Sequence, residues 1–158
     1  MRTLGLKNYT TGISVDKTIL EIEQILSKHG ATDIWKQFDG ATNITCINFA
    51  VNTEFGKMPF RLPMNVLAVS QILKNEKKSG KLGGLSNREA TDLEQARRVG
   101  WRIIKDWVDA QMALVEIKLV KIEQVFLPYA YDFHTGKTLY ETFREKKMAG
   151  LLMEGKNQ

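Results

Sequence analysis

Apolar residues recur at helical spacing near the start of the chain, change to alternation, and then return to helical spacing. Ile19, Ile22, Ile25 and Leu26 predict a first helix, with Asp16 or Ser14 as its cap and a stop at His29-Gly30. Alternation follows. Ile34, Trp35 and Phe38 lead into Asp39-Gly40, a dipeptide suited to a tight hairpin turn. From Asn43 to Val51 one face carries Thr45, Ile47, Phe49 and Val51, and the other Ile44, Cys46, Asn48 and Ala50. Glu54 to Lys57 reads as a second turn. Met58, Phe60 and Leu62 then alternate with Pro59, Arg61 and Pro63, and the prolines predict an edge strand because they cannot donate ladder hydrogen bonds. Tyr9 to Ile13 is a candidate fourth strand.

Helical spacing resumes with Val66, Val69, Ile72 and Leu73 behind Asn65 as cap. Residues 74–85 are basic and glycine-rich and are expected to be a mobile loop. Ser86 and Glu89 make a capping-box pattern, which predicts a long helix from there to about Lys118. Its buried stripe is read as Leu93, Ala96, Gly100, Ile103, Trp107, Ala110, Leu114 and Ile117, widened by Trp101, Ile104, Val108 and Val115. A short helix through Ile122 to Leu127 should stop at Pro128. Asp132 to Lys137 reads as a turn. Thr138 and Glu141 form a second capping box before a last helix with Leu139, Tyr140 and Phe143. The tail from 148 to 158 is expected to fray, with Leu151, Leu152 and Met153 available for docking. Strands cluster early and helices late. The expected fold is therefore α+β, in one domain over 1–158: a small antiparallel sheet of three to four strands after an N-terminal helix, packed on a C-terminal set of helices that includes one long one.

Composition narrows the function classes. Of the 158 residues, 43% are hydrophobic and 26% charged, ordinary usage for a globular domain with a real core. The one cysteine, Cys46, excludes an intrachain disulfide. No stretch approaches the ~20 apolar residues of a membrane span, and Met1 to Lys7 lacks an apolar run like that of a signal peptide, so the default compartment is the cytoplasm. No membrane partner is expected.

Candidate chemistry is thin. His134-Thr135-Gly136-Lys137-Thr138 ends like a phosphate-binding loop, but Tyr131 stands where its first glycine belongs, so a turn and helix cap is the plainer reading. Cys46, His29 and His134 are far apart and lack zinc-ligand spacing. A Cys46–His29 dyad would require the two to meet in space. Glu21, Glu23 and Asp33 are spaced as a solvated helix face and a loop. No catalytic residue, metal or cofactor is expected.

The basic residues say more. The net charge is +5, from 23 Lys+Arg against 18 Asp+Glu. Arg98, Arg102 and Lys105 fall on one side of the long helix, flanked by Arg97. Lys74, Lys77, Lys78 and Lys81 crowd the preceding segment, and Arg144, Lys146 and Lys147 form a third group. If these faces converge they make a patch for phosphates, and Tyr9, Trp35, Phe38 and Phe55 near strand ends are candidates to stack on bases. The plainer reading pairs Arg98 and Arg102 with Glu94 and Asp106. The expected function is a non-catalytic nucleic-acid-binding accessory protein acting on single-stranded DNA or RNA. The alternative is a protein-interaction module, a homo-oligomer or an inhibitor of a host factor, because the two tryptophans and several apolar faces of the long helix exceed what a small sheet covers.

The phrases Lys28-His29-Gly30-Ala31, Phe60-Arg61-Leu62-Pro63, Trp101 to Trp107 and Phe126-Leu127-Pro128-Tyr129 resemble small uncharacterised proteins of bacteriophages and bacterial mobile elements. The resemblance implies a setting in DNA metabolism or host-defence interplay and carries over no site residue.

Overall fold

The computed structural model describes residues 5–40 and 42–153. Helix α1 spans Val15–Lys28. Ser14 is its cap, with a hydroxyl that accepts from the Lys17 N–H at 3.2 Å, while Asp16 sits in the first turn. The predicted Ile19, Ile22 and Leu26 are buried, and Gly30 takes φ +102° just past the end, where a side chain would be strained.

Strands β1 (Ala31–Phe38), β2 (Ile44–Thr53) and β3 (Gly56–Arg61) form an antiparallel sheet with β2 at its centre. Trp35 and Arg61 both lie opposite Asn48, and Gln37 opposite Cys46. The β1–β2 connection is wider than a two-residue Asp39-Gly40 turn. Phe38 pairs with Ile44, the Asp39 N–H donates to the Asn43 carbonyl, and the Asn43 amide donates to the Asp39 carboxylate. Those bonds join Asp39 to Asn43 in place of the tighter turn. Edge strand β3 carries Pro59, as expected, and its outer side is bridged at Phe60 by Ala130.

The candidate strand at Tyr9–Ile13 is instead a turn and an irregular segment. The Gln95 amide takes the carbonyls of Tyr9 and Thr11, so these groups find partners on a helix rather than on a strand.

Helix α2 (Val66–Lys78), capped by Asn65, runs farther than its apolar pattern. Lys74, Lys77 and Lys78 are therefore helical, consistent with the good helix propensity of Lys and Glu. The expected loop shrinks to residues 79–85, and Leu82 and Leu85 anchor it in the core. The capping box at Ser86–Glu89 is present, yet it starts only the short α3 (Asn87–Thr91). Asp92 leaves helical geometry at ψ 120° and caps a second helix, α4 (Leu93–Glu116), by accepting from the Glu94 N–H at 3.0 Å. The single long helix of the sequence pattern is thus two.

Helix α4 is enclosed on two sides. Trp101, Ile104, Val108 and Met112 pack on the sheet, α1 and Phe126; Ala96 and Val99 pack with Leu73, Leu82, Leu85 and Ala90 from α2, α3 and their loop. The expected stripe holds at Ala96 and Gly100, but Leu93, Ala110, Leu114 and Ile117 are exposed. The sheet meets α4 along the line 101–104–108–112, which lies beside the line 103–107–110–114. Trp101 is buried and Trp107 packs edge-on to Phe126 and Tyr129, so neither tryptophan is a free surface anchor.

Helix α5 (Ile122–Phe126) passes into a 3₁₀ turn (Leu127–Tyr129) that contains Pro128. The chain then crosses the β3 edge and forms a short hairpin, β4 (Tyr131–Asp132) with β5 (Lys137–Thr138), over the other face of the sheet. Helix α6 (Leu139–Glu145) follows, with the Thr138 hydroxyl accepting from the Glu141 N–H. Leu151, Leu152 and Met153 are exposed rather than docked, and 154–158 lie outside the described residues. Among the described residues no helix is long and apolar enough to cross a membrane.

Candidate nucleic-acid interface

The structure splits the eight predicted basic residues into two groups of opposite character. The α4 group is neutralised. Arg97 meets Glu94 at 3.3 Å. Arg98 donates from Nε and Nη2 to the Gln95 amide oxygen at 2.9 and 2.7 Å, with Glu94 at 3.9 Å. Arg102 reaches across to α1, where it bonds the Glu21 carboxylate and the Thr18 hydroxyl. Lys105 lies 3.9 Å from Asp106 and 4.0 Å from Asp109. These side chains fasten α4 to α1 and to its own next turn, and each charge has a carboxylate beside it.

The α2 group is not neutralised. Lys74, Lys77 and Lys78 line one groove of about 480 Å³ between α2 and α3, with Gln71, Asn87 and Thr91 as polar neighbours. Among the described residues none of these lysines has an ion pair, nor do Lys81 and Arg88 nearby. The carboxylate of Glu76 on the same helix is spent elsewhere, accepting the Leu6 N–H at 2.7 Å. The helical register makes this cluster: 74 and 78 are one turn apart, and 77 lies beside 78. The clusters of α2 and α4 do not merge, because Arg97 lines a different pair of pockets with Asn43 and Ile44.

Of the aromatics considered for base stacking, Phe38 and Phe55 are exposed, Tyr9 packs into the core around α2, and Trp35 leans on Phe133. The other candidate residues each have neighbours of their own. Cys46 is buried in β2, and burial pushes its thiol up from the ordinary range. His29 ends α1, with Nδ1 2.8 Å from the Ile25 carbonyl and Nε2 3.6 Å from Glu116. It sits beyond the Ala31↔Val51 pairing, about 16 Å of strand from Cys46. Glu21, Glu23 and Asp33 each pair with a different cation: Arg102, Lys36 and Lys57. Gly136 lies in the β4–β5 turn at φ +71°. Among the described residues no group of three His, Cys, Asp or Glu side chains is placed to hold a metal ion.

One constellation escaped the sequence pattern. On the outer face of the sheet Arg61 donates from Nε to the Asn48 amide oxygen (2.9 Å) and from Nη2 to the Gln37 amide oxygen (3.1 Å), and its guanidinium lies 3.9 Å over the Tyr131 ring. Asn48 is fully buried, and its Nδ2 has no hydrogen-bond partner. Arg61 also forms part of the wall of a cleft of about 570 Å³, shared with the 3₁₀ turn and α6. The signal available in sequence was an Asn on an apolar strand and an Arg between two prolines, and only the register joins them.

No protein-family model, no curated protein and no solved structure matches this chain.

Proposed function

We propose that this protein is a non-catalytic nucleic-acid-binding accessory protein that holds the backbone of a single strand along the α2–α3 groove. The observation that carries this reading is the convergence of Lys74, Lys77 and Lys78 in one groove, with no carboxylate partner among the described residues. Phosphates displace counterions from such a cluster at little cost, whereas the α4 arginines would first have to leave their own acids. The resemblance to phage and mobile-element proteins fits this role in DNA metabolism. The test is fluorescence anisotropy with a labelled single-stranded oligonucleotide in low salt. Replacing Lys74, Lys77 and Lys78 together by Gln is expected to weaken binding at least tenfold, while Arg98→Gln leaves it within twofold. The converse order would overturn the assignment.

A second reading, self-association, is favoured by a separate observation. Phe55 is 83% exposed, Leu119 68% and Ile117 66%. The Lys121–Glu54 ion pair at 3.2 Å brings the β2–β3 turn to the segment after α4, so Phe55 and Leu119 emerge at the same end of the molecule. Clustered apolar exposure of this kind marks interaction surfaces. Sedimentation equilibrium is expected to show a dimer that Leu119→Glu converts to monomer; a monomeric wild type at high concentration removes this reading.

A further inference from the structure

The cleft beside Arg61 is distinct from the lysine groove, and its chemistry points to a different ligand. Its wall combines two arginines, Arg61 and Arg144, with Tyr129, Tyr140 and Pro63, and with Glu141 at one side. At about 570 Å³ it is the roomiest of the clefts described above, within the range of small-molecule sites. Arg144 and Tyr140 are exposed, and Arg144 has no ion pair among the described residues.

The decisive feature is how Arg61 is held. Its anchors are two amide oxygens and an aromatic face, all neutral. Arg102 is an opposite case, fixed by the Glu21 carboxylate. A guanidinium fixed by neutral groups keeps its whole charge and loses little freedom when an anion arrives, which is the arrangement a binding site needs. The fold accepts a cost to hold it there: Asn48 is wholly buried with an unsatisfied Nδ2. The amide cannot be turned round to relieve this, because Arg61 Nε requires an oxygen at 2.9 Å. Tyrosines beside two arginines then supply planar faces for an aromatic ring attached to the anion.

We infer that this cleft binds a nucleoside monophosphate unit, with Arg61 and Arg144 on the phosphate and Tyr140 against the base. The unit is either a free mononucleotide or the 5′-phosphorylated end of a strand. The site stands apart from the lysine groove, and either can fail without the other. Isothermal titration of the full chain with AMP, with inorganic phosphate and with adenosine tests it, and a short 5′-phosphorylated oligonucleotide beside its 5′-hydroxyl counterpart distinguishes the two sources. AMP is expected to bind at least tenfold more tightly than inorganic phosphate or adenosine, or the 5′-phosphorylated oligonucleotide at least tenfold more tightly than its 5′-hydroxyl counterpart. Arg144→Ala and Tyr140→Ala, both at exposed positions, should each weaken that binding at least fivefold with circular dichroism unchanged. The Lys74/Lys77/Lys78→Gln variant should leave AMP binding, and the ratio between the 5′-phosphorylated and 5′-hydroxyl oligonucleotides, unaltered. AMP binding no tighter than that of inorganic phosphate together with equal binding of the two oligonucleotides, or indifference of the phosphate-dependent binding to both cleft variants, would overturn the proposal.

Discussion

Asp106 shows how single residues here trade burial against partners. Burial alone pushes its carboxyl up, but the Asn8 amide at 2.9 Å and the Lys7 ammonium at 3.2 Å, with Lys105 beyond, outweigh that and hold it below its ordinary 3.8. A carboxyl whose folded pKa lies below its unfolded one adds stability above the unfolded value, and that stability is lost as pH falls through the folded value. Its effect should therefore be complete near pH 7, begin to fade near pH 3.8 and be gone only below the lower folded value. Asp106→Asn is expected to lower the urea midpoint at pH 7 and to leave it unchanged well below that range, so the gap between variant and wild type closes on acidification. A gap that persists at the lowest pH would mean that shape or packing, and not charge, holds residues 7–8 against α4.

The elements differ in how far they could be read from the chain. Three caps were legible because capping is local: Asn65, Ser86 and Thr138 each sit beside the N–H groups they satisfy, while at α1 the pattern left Asp16 and Ser14 as alternatives and Ser14 is the cap. The break at Asp92 was not, since the apolar spacing from Leu93 onward continues in phase and masks a change of backbone at one residue. The lysine cluster was visible as composition, but only the extension of α2 to Lys78 turned it into a groove wall. The Asn48–Arg61–Gln37 set was invisible because it depends on the register of three strands. The α2–α4 contact is similarly non-local and explains a glycine inside a helix. A Cβ on Gly100 would lie 2.5 Å from the Met64 methyl and 3.2 Å from Val69. The Met64 tip is flexible and can move, so Gly100→Ala should be close to neutral, the clash offset by roughly 1 kcal/mol of helix propensity. Gly100→Leu has no such escape and is expected to cost about 1–3 kcal/mol in denaturant unfolding. Equal stability of the two variants would show that α2 is not packed tightly here.

At the scale of the molecule, a net charge of +5 describes a surface that is neutral in some places and strongly positive in others. The α4 cations sit beside Glu21, Glu94, Asp106 and Asp109, and among the described residues the α2 lysines have no such company. Enclosure of α4 by the sheet on one side and by α2 and α3 on the other also removes the need for an oligomer to cover that helix. The self-association proposed above would then run through the apolar end near Phe55 and Leu119 rather than through α4. This uneven distribution makes the salt dependence of binding more informative than affinity alone. Each phosphate neutralised on a single strand contributes a slope of about −0.7 to log K against log salt. If Lys74, Lys77 and Lys78 are the phosphate contacts, the wild-type slope should be near −2, and Lys77→Gln should make it shallower by about 0.7. Arg98→Gln should leave the slope untouched, because its charge is already countered within the protein. A slope steeper than about −4 would require the Arg144, Lys146 and Lys147 group to engage the same strand as well.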